Sequence, residues 1–134
     1  MIVDTSALVA IAHDEPGGEA LKDAIGGGGL VPAPVIVEYR RVMSRSGALE
    51  AQKSETVLAK LLDRLAVEPF TADDAEIAAV ANFEYGAGNG RGGKLNLLDL
   101  MVYATARRLG LPILCTGRDF ASTDAQIHPA SRPF

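Results

Sequence analysis

Tryptophan is absent from this chain, cysteine occurs once, and aromatic residues make up only 5% of it. A single Cys115 excludes an intrachain disulfide, and a thiol in an apolar stretch is expected to pack as a small hydrophobe. His13 and His128 have no partner at metal-ligand spacing, which removes the zinc motifs. No Ser-His-Asp or Cys-His arrangement offers nucleophilic catalysis. Positive charge is not in excess either, since 13 Lys and Arg against 17 Asp and Glu leave a net charge of −4. That balance argues against gripping nucleic acid by bulk charge alone. The apolar runs are far too short to span a bilayer, and Asp4 breaks the N-terminal stretch before a signal-like core forms. The expectation is therefore a cytoplasmic protein with no membrane partner.

What the chain does have is enough apolar material for a core. At 134 residues and 48% hydrophobic content it is expected to form one domain, 1–134. Within that apolar background stand four acids, Asp4, Glu38, Asp99 and Asp119, each interrupting a segment that otherwise reads as buried. Carboxylates go inside only when something pairs with them.

Asp4 follows the short strand Met1-Ile2-Val3 and precedes a helix start at Thr5-Ser6. Glu38 shares a helical stripe with Val35 and Val42. Asp99 has Leu95, Val102 and Tyr103 at helical spacing, and Asp119 follows the strand-like Pro112-Ile113-Leu114-Cys115 across a turn. Simpler readings exist for each one alone. Asp4 and Asp99 serve as helix caps in them, Asp99 through Asn96-x-x-Asp99; Glu38 pairs with Arg41 or Arg45, and Asp119 occupies a turn. Jointly these would all have to hold independently.

The elements read as a strand at 1–4, helices at about 5–13 and 17–25, and a glycine run at 26–29 marking a turn or mobile connection. A strand at Leu30-Val31 leads into the Glu38 helix. A helix at 48–65 has a stripe of Val57, Leu58, Leu61, Leu62 and Leu65, and a strand follows at 67–70. Thr71-x-x-Asp74 caps a helix running to about Tyr85, with Asp73, Asp74 and Glu76 expected as its solvated first turn. After the glycine-rich loop 86–93 come the Asp99 helix and a strand at 112–115. This order predicts an α/β fold, a short central parallel sheet flanked by helices. In such sheets, sites form at the carboxyl ends of the strands.

The loop matches G-x-x-x-x-G-K from Gly88 to Lys94, yet it follows a helical segment and precedes Leu95 where a P-loop has Ser or Thr. It is expected instead to be a flexible flap beside Asp99. Arg91 and Lys94 on that loop, with Arg118 beside Asp119, are candidate RNA-binding cations that could ring an acidic centre; ordinary solvated side chains are the alternative.

Two like charges about 4 Å apart repel by roughly 4 kcal/mol at an effective dielectric near 20. A cluster of four carboxylates therefore calls for a hard cation, Mg²⁺ or Mn²⁺. Phosphodiester hydrolysis is the chemistry that most needs such an ion.

Val3-Asp4-Thr5-Ser6-Ala7-Leu8, the inward Glu38, Lys94-Leu95-Asn96-Leu97-Leu98-Asp99, and Thr116-Gly117-Arg118-Asp119-Phe120 with Thr123-Asp124 run in order from residue 1 to about 127. Together they resemble the PIN-domain ribonucleases, most closely the VapC toxins of toxin–antitoxin modules. The resemblance implies a PIN-like fold, Mg²⁺- or Mn²⁺-dependent endoribonuclease activity on RNA, a homodimer, and a cognate VapB-type antitoxin forming a hetero-oligomer. It casts Asp4 and Asp99 as principal metal ligands, with Glu38 and Asp119 completing the catalytic set. Thr5, Ser6 and Thr116 fall where hydroxyls orient carboxylates or water, and Asp124 reads as structural. Leu97-Leu98 stands where many relatives carry an aromatic and a glycine, and Leu100 where they often carry a small residue. The alternatives are a PIN-type RNA-processing nuclease or RNA-binding module outside a toxin–antitoxin pair. A phosphoryl-accepting receiver is disfavoured because Asp4 lacks an acidic neighbour and no lysine lies beyond Lys94; a D-x-D phosphatase fails because Ser6 takes the second acid's place.

Overall fold

The N-terminal Ile2-Val3 pair forms the centre of the molecule, because strands form on both sides of it. In the computed structural model, which describes residues 1–131, β1 (Ile2–Val3) leads into α1 (Thr5–Ala12) and α2 (Gly18–Gly26). The chain continues through β2 (Gly29–Pro32), α3 (Ala33–Ser44), α4 (Ala48–Leu62), β3 (Leu65–Glu68), α5 (Ala72–Tyr85), α6 (Leu97–Leu109) and β4 (Ile113–Leu114), ending in a 3₁₀ turn at Phe120–Ser122. The last three residues of the expected domain, 1–134, lie outside the described part.

All strands are parallel, in the order β3-β2-β1-β4. Ile2 pairs with Leu30 on one side and Ile113 on the other. The chain thus winds outward from β1 through β2 to β3, then crosses back to place β4 on β1's free side. The reversal falls at β1, and a crevice opens at the carboxyl end of such a switch point. Asp4 sits there, immediately after Val3.

The core is built from both faces of this short sheet: Ile2, Val3, Val31, Ile113 and Leu114 are fully buried, against Leu8, Leu21, Val35, Tyr39 and Val102. Central parallel strands covered on both faces are apolar throughout, as the sequence shows here. Beyond β4 the chain returns alongside it, with Ile113 accepting from His128 N–H at 2.8 Å and donating to the Gln126 carbonyl at 2.8 Å.

Three boundaries differ from expectation. α4 ends at Leu62, and Leu65 starts β3 opposite Gly29 rather than closing a helical stripe. An apolar residue at that position satisfies either period, and pairing with β2 decides it. Consequently β3 spans Leu65–Glu68, and Phe70 lies in the connection to α5. Leu95 is not helical: it is 1% exposed and bridges to Gly86, while α6 starts after Asn96.

Asp74 corrects the expectation of a solvated first turn. Asp73 and Glu76 are exposed, but Asp74 is fully buried, exchanging capping-box hydrogen bonds with Thr71 and paired with Arg108. Of the glycine run at 26–29, Gly26 ends α2 and Gly29 begins β2, so the turn between them is Gly27-Gly28 alone. The loop at 86–93 does follow a helix, and it is clasped at its base: Leu95 donates to the Tyr85 carbonyl at 2.9 Å and accepts from Ala87 at 2.8 Å. Glycine at 93 is required by that clasp, since a Cβ there would lie 2.4 Å from the Gly86 carbonyl oxygen. Inside the loop the Asn89 side chain accepts from Arg91 and Gly93 N–H groups, so local hydrogen bonds shape what was expected to be a flexible flap.

Candidate active site at the carboxyl edge of the sheet

Asp4 is carried to the edge by β1 and held by its own backbone, which donates to the Leu114 carbonyl at 3.0 Å. Its side chain caps α1, accepting from Ser6 N–H at 3.0 Å and from Ser6 Oγ at 2.5 Å. The helix-cap reading and the inward placement are thus both realised, in a residue only 5% exposed. Burial pushes the Asp4 carboxyl above its ordinary range; the Ser6 hydrogen bonds oppose this, and the charge on Glu38 adds to it.

Glu38 projects from α3, half-buried, and accepts the Thr5 hydroxyl at 2.5 Å. It pairs with neither Arg41 nor Arg45; the neighbouring Arg40 is tied to Glu55 through two hydrogen bonds of 2.9 and 3.1 Å. Thr5 follows Asp4 directly, so the start of α1 joins the two acids.

Asp99 stands in the first turn of α6. Asn96 caps that helix, and Asp99 Oδ2 returns a bond to Asn96 N–H at 2.8 Å. Its carboxyl is pushed up to about 7, chiefly by burial and further by the charges of Asp4, Asp119 and Glu38, against the opposing Asn96 hydrogen bond. All four acids therefore share one electrostatic neighbourhood. Asp119, one residue before the 3₁₀ turn, is exposed and makes no capping bond. The same field reaches the buried Cys115, whose thiol is pushed up to about 12, mainly by burial and then by Asp4, Asp119 and Asp99.

Ser6 does more than cap. Its Oγ accepts the Thr116 backbone N–H at 3.0 Å, joining the end of β4 to Asp4. Thr116 thus enters this network through its backbone N–H. Arg91, Lys94 and Arg118 are all exposed. Beside Glu38 an open cleft of about 640 Å³ is walled by Val37, Arg41, Phe70, Leu97 and Met101, among others.

The set offers oxygen donors of net negative charge, with no cation among the described residues paired to them, which is the chemistry a hard divalent ion favours. Among the described residues, no three His, Cys, Asp or Glu side chains stand in an arrangement that could hold a metal ion as they are. Asp4, Glu38 and Asp99 each have an oxygen committed, to Ser6, Thr5 and Asn96. In its chemistry the donor set, oxygen throughout, suits such an ion.

Sequence reasoning missed Tyr103 as more than core. It lies one helical turn beyond Asp99, and its hydroxyl donates to Asp124 Oδ1 at 2.7 Å. The available signal was that spacing together with a phenol on an apolar face, because a buried tyrosine hydroxyl needs a partner.

A parallel sheet in this order with acids gathered at its switch point is the architecture of a PIN domain, and the PIN domain family model matches residues 1–126. Ribonuclease VapC42 of Mycobacterium tuberculosis is 41% identical over 138 residues, covering 97% of this chain and 98% of that protein. Ribonuclease VapC28 of the same species is 33% identical over 136 residues, covering 94% and 96%. The chain belongs to the VapC ribonuclease group of the PIN-domain family. Among solved structures, M. tuberculosis VapC20, described as a Sarcin-Ricin loop cleaving toxin, matches in fold with a TM-score of 0.73 at 20% identity, covering 96% of this chain and 98% of that one. VapBC2 from Rickettsia felis, bound to a DNA fragment from its promoter, matches with a TM-score of 0.73 at 14% identity, covering 94% of each chain.

Proposed function

We propose that this protein is an endoribonuclease that hydrolyses RNA phosphodiester bonds with Mg²⁺ or Mn²⁺ as cofactor, and that it is the toxin of a VapBC-type module. The observation that carries this reading is the placement of Asp4 and Glu38, joined through the start of α1, with Asp99 at the start of α6 and raised to about 7 by burial and by the charges of the other acids. Buried acids grouped in this way have a use once a cation occupies the site. The ribonuclease names of relatives at 41% and 33% identity support the same activity.

In this reading Asp4 and Asp99 are the principal ligands, and Glu38 and Asp119 complete the set. A bound ion supplies water activation and neutralises charge on the phosphoryl oxygens. The chain's own contribution is positioning. Ser6 fixes Asp4, Thr5 fixes Glu38, and Asn96 orients Asp99, so each carboxylate presents its second oxygen without rotameric search. Arg118, adjoining Asp119, and Arg91 and Lys94 on the clasped loop contact the RNA backbone. A VapB-type antitoxin restrains the enzyme, and a homodimer and toxin–antitoxin hetero-oligomer are the expected assemblies. In solved structures of low identity, a VapBC pair and a toxin–antitoxin complex from Klebsiella pneumoniae share the fold.

The test is incubation of purified protein with transfer, ribosomal and messenger RNAs, with and without EDTA, followed by mapping of the new ends. Discrete cleavage that EDTA abolishes and Asp99→Asn lacks is expected. Equal cleavage by Asp99→Asn and wild type in magnesium overturns the assignment.

A further inference from the structure

Among the described residues, Asp119 differs from the other three acids in having no hydrogen bond or ion pair to hold its side chain. Asp4, Glu38 and Asp99 are each fixed by a hydrogen bond, whereas Asp119 is exposed and stands wherever its backbone puts it. That backbone belongs to a stiff bracket. Phe120 is buried, Ser122 Oγ donates to the Asp119 carbonyl at 2.7 Å, and Thr123 Oγ1 donates to the Phe120 carbonyl at 2.7 Å while accepting from Ala125 N–H at 3.1 Å. Past Asp124, the Gln126 carbonyl accepts from Ile113 N–H, which docks the bracket's far end on β4.

Those anchors join the bracket to itself, the core and the sheet. Its polar connection to α6, the helix that presents Asp99, runs through Asp124. Tyr103 is four residues after Asp99 and so on the same helical face; buried to 5% exposure, it donates to Asp124 Oδ1 at 2.7 Å. Arg107, a further turn along, lies 3.5 Å from Asp124 Oδ2. The Tyr103 ring is braced by Tyr85, with centroids 5.5 Å apart. A phenol donating to a carboxylate is a charge-assisted bond, stronger than a neutral pair, and a buried ring in contact with Tyr85 has little freedom to release it.

We propose that the Tyr103–Asp124 hydrogen bond is a tie that sets Asp119 relative to Asp99, making both residues positioning residues for phosphodiester hydrolysis. The proposal rests on the nuclease reading above. Neither residue contacts the reacting atoms; they act through the bracket. A displacement of about 1 Å in a catalytic group is enough to cost up to about a hundredfold in rate.

The test compares wild type with Tyr103→Phe, Asp124→Ala and Asp124→Asn. Asparagine keeps an oxygen to accept from the phenol. RNA cleavage is measured as kcat and KM separately, Mn²⁺ affinity by calorimetry without RNA, and folding by thermal melting. Tyr103→Phe and Asp124→Ala are expected to lower kcat about tenfold to a hundredfold with KM for RNA nearly unchanged. They are also expected to weaken Mn²⁺ binding, and Asp124→Asn to retain most of both properties. Wild-type kcat and Mn²⁺ affinity in folded Tyr103→Phe would overturn the tie, as would an Asp124→Asn as impaired as Asp124→Ala. Should Tyr103→Phe fail to fold, the Asp124 pair decides alone. If the wild type itself leaves RNA intact, the nuclease reading falls, and Mn²⁺ affinity still tests the tie.

Discussion

Arg108 grips Asp74 with two prongs, Nε to Oδ1 at 2.7 Å and a terminal guanidinium nitrogen to Oδ2 at 3.1 Å, and it reaches Glu68 at 2.8 Å with the same nitrogen. One side chain thereby joins the end of α6 to the start of α5 and the end of β3. Burial alone would raise the Asp74 carboxyl; Arg108 and Thr71 outweigh it and hold the group below its ordinary value.

Asp74→Ala should therefore destabilise the fold by roughly 2–4 kcal/mol, from a lost cap and an ion pair broken on its buried side. A carboxyl lowered in the fold stabilises above its unfolded value of 3.8 and loses that contribution as pH falls. Urea unfolding at pH 7 and pH 3 checks both points: the gap between variant and wild type should shrink at the lower pH.

Asp99 has the opposite sign. Raised to about 7 from 3.8, it takes its proton more readily in the fold than in the unfolded chain. Without metal, its ionisation should cost stability progressively as pH rises from about 4 to about 7, with a plateau above. Asp99→Asn should melt higher than wild type at pH 8, by on the order of 1–2 kcal/mol after allowance for solvent screening, and about equally at pH 4. A variant that melts lower at pH 8 would mean the carboxylate is structural.

Divalent ions should reverse that penalty. Mn²⁺ at about a hundredfold excess over its Kd is expected to stabilise wild type by about 2.7 kcal/mol, with the effect removed by EDTA. Thermal melting at pH 8 reads it, and Asp4→Asn and Asp99→Asn should respond far less.

Ser6→Ala should cost about 1–2 kcal/mol, because it removes the donor to Asp4 and leaves the Thr116 N–H without its acceptor. Denaturant unfolding measures the loss. Ser6→Thr, which restores the hydroxyl, should recover most of it.

Much of this was legible in the sequence because apolar surroundings make an acid conspicuous. Asp4 after Ile2-Val3 and Glu38 between Val35 and Val42 announce themselves, and the alternation of short strands with helix pairs fixes a parallel sheet. Asp74 did not announce itself, since an acid in a helix's first turn reads as solvated, and its partner Arg108 lies 34 residues away. Leu65 and Leu95 suit a helix or a strand equally by period, so only tertiary pairing settles them. Tyr103 looked like core because its hydroxyl finds Asp124 across 21 residues with no local pattern to betray it.

The Gly86–Leu95 clasp has an engineering consequence. Because the two stems meet below the loop and Asn96 begins α6 just beyond, the start of the Asp99 helix is held by bonds that do not involve the interior of the loop. Residues 87–92 are thus the part open to exchange, with Gly93 kept for the clasp: grafts of different length and charge there are expected to retune what the chain grips.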